Sequence, residues 1–166
     1  MRHFKASGLF QFTKDNELIL QIKEVNDNVI PSSNAVMAEN LLRASVHLGE
    51  PSWAAQAKKM IALMGSELLT YPRAYSSWLR LALSLHKSSL EIVILGPKAM
   101  EWIKDLQNSP LKANQWAASL GPSDYPLFKG RFQANETLIY ACENNHCQLP
   151  YRSLNDFKQA FKLHSS

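Results

Sequence analysis

Cysteine is scarce in this chain of 166 residues: Cys142 and Cys147 are its only two. Two thiols cannot build a disulfide framework or a complete zinc site, which agrees with a reducing compartment. Long apolar runs are missing as well. No stretch approaches the length of a membrane span, and Met1-Arg2-His3-Phe4-Lys5 is not followed by the hydrophobic core of a signal peptide, so the chain reads as cytoplasmic with no membrane partner. Charge is not concentrated either. The 18 Lys and Arg residues give a formal net charge of +4 but are scattered, with Lys58-Lys59 the only adjacent pair; tight backbone binding to nucleic acid needs clustered cations, so no nucleic-acid partner is expected. There is no Gly-x-Gly-x-x-Gly, no Walker pattern, no Cys-x-x-Cys, no repeat and no low-complexity tract. No cofactor and no metal are implied.

What is present is core-forming material, 46% hydrophobic overall, with a change of character near residue 90. Residues 1–89 read as a hairpin followed by helices, and residues 90–166 as a small α/β unit. Gly8–Thr13 and Glu17–Lys23 flank the turn-like Lys14-Asp15-Asn16, which predicts a β-hairpin. From Asn34 to Leu48 the positions Ala35, Ala38, Leu41, Leu42, Ser45 and Leu48 recur at steps of three and four, so they share a helix face, with Ser32 or Ser33 as N-cap and Gly49 as stop. Pro51 suits the first turn of a second helix carrying Ala54, Ala57, Ile61, Met64 and Leu68 inward. A third follows Pro72, with Tyr75, Trp78, Leu79, Ala82 and Leu85 on its inner face.

Glu91–Leu95 is a β-branched run closed by Gly96-Pro97 and followed by an amphipathic segment with Ala99, Ile103 and Leu106, a strand-turn-helix unit. Further strands are expected at 113–119 and 137–142, and Ser153–Asp156 has the form of a capping box for a last helix with Leu154, Phe157 and Phe161 inward. Strands separated by helices imply a small, mainly parallel sheet. The fold class is therefore mixed α/β.

Two places can carry chemistry. The polar stretch Lys23–Asn34 runs into the first long helix, and Pro31 with Ser32-Ser33-Asn34 fixes where that helix begins. Asp27 can hold a turn, orient a hydroxyl or act as an acid or base, while Ser32 can cap and Asn34 can satisfy loop backbone. The only acid near Asp27 in sequence is Glu24, so no complete glycosidase-type pair is evident, and no catalytic residue is assigned beyond Asp27 as a candidate. The second place is Cys142-x-x-x-x-Cys147 with His146 beside it. Cys142 lies in an apolar strand and Cys147 in the loop after it, so free thiols are expected; a disulfide would need a tight turn at Glu143–His146. The five histidines are dispersed. Trp53 and Trp78 fall where helices pack, and Trp102 and Trp116 are the other indoles that could stack on sugar rings.

Asp27-x-x-x-Pro31-Ser32-x-Asn34 leading into Asn40-Leu41-Leu42-Arg43, the strand Glu91–Gly96, and Tyr140-Ala141-Cys142-Glu143-Asn144 with Cys147, in that order, resemble the C-terminal part of the thioredoxin-domain proteins related to spermatogenesis-associated protein 20. Ser33 stands where that family often has Gly. The resemblance runs from about Gly8 to the last helix and implies a longer architecture, a thioredoxin-like domain and then a toroid of helical hairpins like that of six-hairpin glycosidases and epimerases. It implies that this chain contributes one wall of a sugar-binding cavity, with Lys23, Glu24, Asp27, Ser32 and Asn34 facing a small carbohydrate, and that it is not catalytic alone. A thiol-redox accessory module through Cys142 and Cys147, or an interaction domain without chemistry, are the alternatives. Three toroid-type helices would leave apolar stripes to cover, so self-association through residues 34–86, or packing on missing upstream domains, is expected.

Overall fold

A computed structural model describes residues 5–6, 8–11, 23–86, 89–143 and 146–163. The chain divides into two compact units, Met1–Lys87 and Ser88–Ser166.

The first unit opens with β1 (Lys5–Ala6) paired antiparallel to β2 (Leu9–Phe10). The expected hairpin is thus corrected on one side: the described partner of Leu9-Phe10 precedes it, across Gly8 at φ +92°. The predicted turn at Lys14-Asp15-Asn16 and the second arm, Glu17–Lys23, lie outside the described residues except for Lys23, which is not in a strand. Helix α1 (Ser33–His47) buries Asn34, Ala35, Ala38, Leu41 and Ser45, most of the face that the three-four spacing indicates; Leu48, expected on that face, is the C-cap residue and is exposed. Ser32 is its N-cap, its Oγ accepting from the N–H of Ala35 at 3.3 Å. Helix α2 (Pro51–Met64) begins on Pro51 and buries Ala57, Met60, Ile61 and Met64. It stops at Gly65, whose φ of +51° belongs to the left-handed region that glycine tolerates. Leu68 therefore sits not on α2 but on a separate turn, α3 (Glu67–Thr70). A 3-10 turn over Pro72–Tyr75 leads into α4 (Ser76–His86), where Trp78 and Leu81 are buried. Leu85, expected inward, is 38% exposed. Trp53 packs on this core and Trp78 lies inside it, and the Trp78 indole N–H donates to the carbonyl of Val25 at 2.8 Å. Glu39 joins α1 to α4 by an ion pair with Arg80 at 2.5 Å and pairs with Arg43 one turn along at 2.7 Å.

The second unit is a four-stranded sheet in the order β4-β3-β5-β6, formed by β3 (Leu90–Leu95), β4 (Gln115–Ser119), β5 (Leu138–Glu143) and β6 (His146–Cys147). Helix α5 (Ala99–Gln107) connects β3 to β4, and α6 (Leu154–Ala160) follows the sheet. One face, with Leu90, Ile92, Ile94, Ile139 and Ala141, packs against Ala99, Trp102 and Leu106 of α5 and Phe157 of α6. Phe157 stacks on Phe161 at 4.5 Å between centroids. The expected capping box is half present: Ser153 Oγ accepts from the N–H of Asp156 at 3.4 Å.

The sheet is mixed, not mainly parallel. Only β3 and β4 run parallel; β5 is antiparallel to β3, and β6 to β5. The reason is the connection. A parallel return needs a crossover back to the starting end of the sheet, whereas residues 120–137 carry no helix and simply pass over the end where β3 and β4 both finish. That passage explains Gly96. Its φ is +125°, and a Cβ there would lie 2.1 Å from the carbonyl oxygen of Glu136 and 2.7 Å from Cα of Thr137. Glycine is required by the close approach of backbone, not by a phosphate. Among the described residues no helix is long and apolar enough to cross a membrane.

Candidate functional site

The 23–34 loop folds into a set of helix caps. The Asp27 carboxylate accepts from the N–H of Ser32 at 2.9 Å through one oxygen, and from the N–H of Ser77 at 2.6 Å and the hydroxyl of Ser76 at 2.9 Å through the other. One anion thereby serves the N-terminal ends of α1 and α4, where the helix dipoles favour negative charge. Burial alone would raise its pKa, but the donors from Ser77, Ser32 and Ser76 together hold it below the ordinary carboxylate value. Glu24 accepts from the N–H of Ser33, the first residue of α1, at 3.2 Å. Ser32 is buried and used as the N-cap.

Asn34 is 1% exposed. Its Oδ1 accepts from the N–H of Phe10 at 2.7 Å, and its Nδ2 donates to the carbonyls of Phe10 and Glu24, both at 2.9 Å. A buried amide makes such bonds because leaving it unpaired is expensive. It ties β2, the loop and α1 together, and offers no edge to a ligand. Lys23 is half-buried at the start of the loop. The structure thus brings the five residues together in one segment, and it gives Glu24, Asp27, Ser32 and Asn34 fold partners. A sugar would have to displace those partners.

The cysteines depart from expectation. Cys142 and Cys147 form a disulfide, with Cα atoms 3.9 Å apart, where free thiols were expected. Cys147 lies in β6, not in a loop, and the antiparallel register places it directly opposite Cys142, with Glu143 opposite His146. The register brings the two Cα atoms closer than is usual across a disulfide. A signal for it stands in the sequence: only Asn144 and Asn145 separate the paired residues, and Asn is favoured in two-residue hairpin turns. Those two residues lie outside the described ones.

Around this bond the second unit gathers polar groups that do not cap helices. Arg131 directs Nη2 to Sγ of Cys147 at 3.4 Å and Nη1 to Sγ of Cys142 at 3.9 Å. Its guanidinium lies over the Tyr140 ring, 5.5 Å from the centroid, and the Tyr140 hydroxyl donates to the Arg131 carbonyl at 2.8 Å. Burial raises the Tyr140 hydroxyl pKa, and the Arg131 cation opposes that rise only in part. Access is unequal: Cys142 is 1% exposed, whereas Cys147 is open to solvent. Arg131 itself carries no local mark in the sequence, since a lone Arg between Gly130 and Phe132 matches no motif.

Cavities open among the described residues of the second unit. One of about 430 Å³ is lined by Asp124, Phe128, Lys129, Gly130 and Phe132, the last two flanking Arg131. Another, of about 400 Å³, is lined by Lys98, Trp102, Asn135, Glu136 and Arg152 at the end of β3. Among the described residues no three His, Cys, Asp or Glu side chains are grouped as metal ligands would be. No protein-family model matches this chain, and no curated protein matches it.

Proposed function

We propose that the chain acts as a thiol-redox module, in which Cys142 and Cys147 exchange between disulfide and dithiol with a partner dithiol. The observation that carries this reading is the Arg131 guanidinium bridging both sulfurs of a disulfide with one accessible and one buried end. A cation at that position stabilises whichever sulfur becomes a thiolate, the species that attacks and leaves in exchange. The thiolate of the incoming dithiol attacks Sγ of Cys147; the S–S bond breaks, and its electron pair leaves on Sγ of Cys142. The second thiol of the partner, deprotonated, then attacks the mixed disulfide and displaces Cys147 as thiolate. The partner ends as a disulfide and the hairpin as two thiols, two electrons having moved. In a reducing compartment, a disulfide that forms is characteristically one that cycles. The thioredoxin-like domain implied by the family resemblance is of the class that supplies such a dithiol.

The test is mass spectrometry after alkylation of the folded protein across a series of dithiothreitol ratios. Both cysteines should become alkylated as the medium is made reducing and be protected again when it is made oxidising, with circular dichroism unchanged. A protein whose thiols stay alkylatable in oxidised glutathione, or whose disulfide opens only on unfolding, would overturn the reading. Within that assay Arg131→Gln should slow reduction by dithiothreitol about tenfold through loss of the cation beside the leaving sulfur. The Tyr140 hydroxyl bond is to the Arg131 backbone and survives the substitution, so an unchanged rate would remove Arg131 from the mechanism.

A further inference from the structure

The accessible end of the disulfide lies on a sheet edge. Strand β6 is last in the order β4-β3-β5-β6, with β5 on one side and, among the described residues, no strand on the other. His146, Cys147, Gln148 and Leu149 are all exposed, Leu149 at 90%. None of the four is Lys, Arg or Pro, the residues that usually blunt an edge against pairing, and Pro150, with no N–H to offer, ends the run. The ladder fixes which way Cys147 turns its backbone. Gln148 donates its N–H to the carbonyl of Ala141 at 3.0 Å, and hydrogen-bonded pairs alternate with non-hydrogen-bonded ones along an antiparallel ladder, so Cys147 opposite Cys142 is a non-hydrogen-bonded position. Its own N–H and C=O therefore point away from β5, toward the open edge. Arg131 leaves that side clear. Its Nη1 and Nη2 each address a different sulfur, at 3.9 and 3.4 Å, so the guanidinium lies alongside the S–S bond and not beyond its Cys147 end.

We infer that the partner thiol reaches Cys147 on an extended peptide segment that adds to β6 as an antiparallel strand, an inference that rests on the redox reading and names the class of its partner. The cysteine of that segment sits directly opposite Cys147. Its N–H donates to the Cys147 carbonyl, and the Cys147 N–H donates to its carbonyl; antiparallel pairing alone gives both bonds of Cys147 to one partner residue. Directly paired residues share a sheet face, so Cys142, Cys147 and the incoming cysteine form one row across three strands. That row suits the chemistry. A thiolate attacks a disulfide along the line of the S–S bond, from the side away from the sulfur that leaves, and here the leaving sulfur is on the strand before Cys147 and the attacking one on the strand after it. The incoming thiolate bonds to Sγ of Cys147, the bond between Cys142 and Cys147 breaks, and its electron pair stays on Sγ of Cys142 beside Arg131. Charge fits as well, since the segment brings an anion toward the Arg131 cation. Leu149 gives the segment an apolar neighbour two residues along the edge, so the sequence around the partner thiol is extended and apolar.

The test uses synthetic peptides: acetyl-Thr-Val-Cys-Val-Thr amide, its analogue methylated on the cysteine nitrogen, and its analogue methylated on the nitrogen of the next valine. Cys142→Ser leaves Cys147 as a lone thiol that retains a mixed disulfide, and its exchange between glutathione and each peptide is read by mass at equilibrium, with the exchange of each peptide against oxidised glutathione alone as reference. In the antiparallel pairing the cysteine amide faces β6 and the next amide faces away. Methylating the first should weaken the adduct about tenfold, and methylating the second should change it by less than about twofold. The same order should appear in the rates at which a large excess of each peptide reduces the wild-type disulfide, and these rates decide alone should Cys142→Ser not fold. Equal behaviour of all the peptides, equal weakening by either methyl group, the reverse order, or no reaction with any peptide in a protein that dithiothreitol still opens overturns the inference and leaves the redox reading standing. A disulfide that neither the peptides nor dithiothreitol opens in the folded wild type overturns both.

Discussion

The two polar clusters of this molecule look alike as sequence and differ in what they satisfy. In the first unit the Lys23–Asn34 loop is rich in carboxylate, amide and hydroxyl groups, and the geometry spends Asp27, Glu24, Ser32 and Asn34 on backbone donors and acceptors at the ends of α1 and α4. In the second unit Cys142 and Cys147 share one covalent bond, and Arg131 reaches both of its sulfurs, with no helix end to serve. Polar groups that complete a helix terminus are accounted for by folding alone. A guanidinium turned onto the two sulfurs of a disulfide is not, and it calls for a chemical explanation. On this comparison the first cluster should control stability and the second reactivity.

The largest expected effect tests the frame that holds the second cluster. Gly96→Ala puts a Cβ into the Glu136 carbonyl at a φ that L side chains rarely adopt, and the neighbour is backbone, which cannot swing away. The loss should be about 4 kcal/mol or more, seen as a large fall in the denaturant midpoint. If the substitution is tolerated within about 1 kcal/mol, the close passage of the 120–137 connection over β3 is wrong. Asn34→Ala comes next. It strands the N–H and carbonyl of Phe10 and the carbonyl of Glu24, at about 3 kcal/mol in all. The comparison sharpens if chemical denaturation shows that loss while disulfide exchange at Cys147 keeps its wild-type rate. It breaks if Asn34→Ala leaves stability intact and alters binding of a sugar.

Much of the architecture was legible because it rests on local pattern. The three-four spacing located α1 and its buried face, Ser32 its cap, Gly49 its end, and the β-branched run at 91–95 its strand. Legibility failed where distant backbone decides. Whether β5 runs with or against β3 depends on whether the 120–137 segment recrosses the sheet, which no periodicity reports. Leu68 fits the α2 stripe, yet the helix stops three residues earlier at Gly65. The candidate site was half visible: the cysteines stood out, but the register that sets Cys142 opposite Cys147 exists only once the strands pair, and Arg131 reaches the sulfurs from outside the hairpin. Asp27 misled for the converse reason, because a carboxylate suited to catalysis is equally suited to helix N-termini, and the second of the two that it serves, that of α4, lies 49 and 50 residues away in the linear sequence.

The smallest effect belongs to that carboxylate, and its sign follows from its surroundings. Folding lowers the Asp27 pKa below 3.8, so the unfolded chain binds the proton more readily than the folded one. The contribution of Asp27 is therefore fully present above the unfolded value and is lost as pH falls through the folded one. Asp27→Asn keeps an oxygen acceptor but removes the charge that faces the two helix ends. It should reduce stability at pH 7 by roughly 1 kcal/mol or less, a typical capping contribution, and the difference from wild type should close as acid titrates the wild-type carboxyl below about pH 4. Thermal unfolding of the pair from pH 7 downwards measures this directly. A gap that stays constant with pH would mean that the charge of Asp27 does not serve the helix termini, and the loop would again need another purpose.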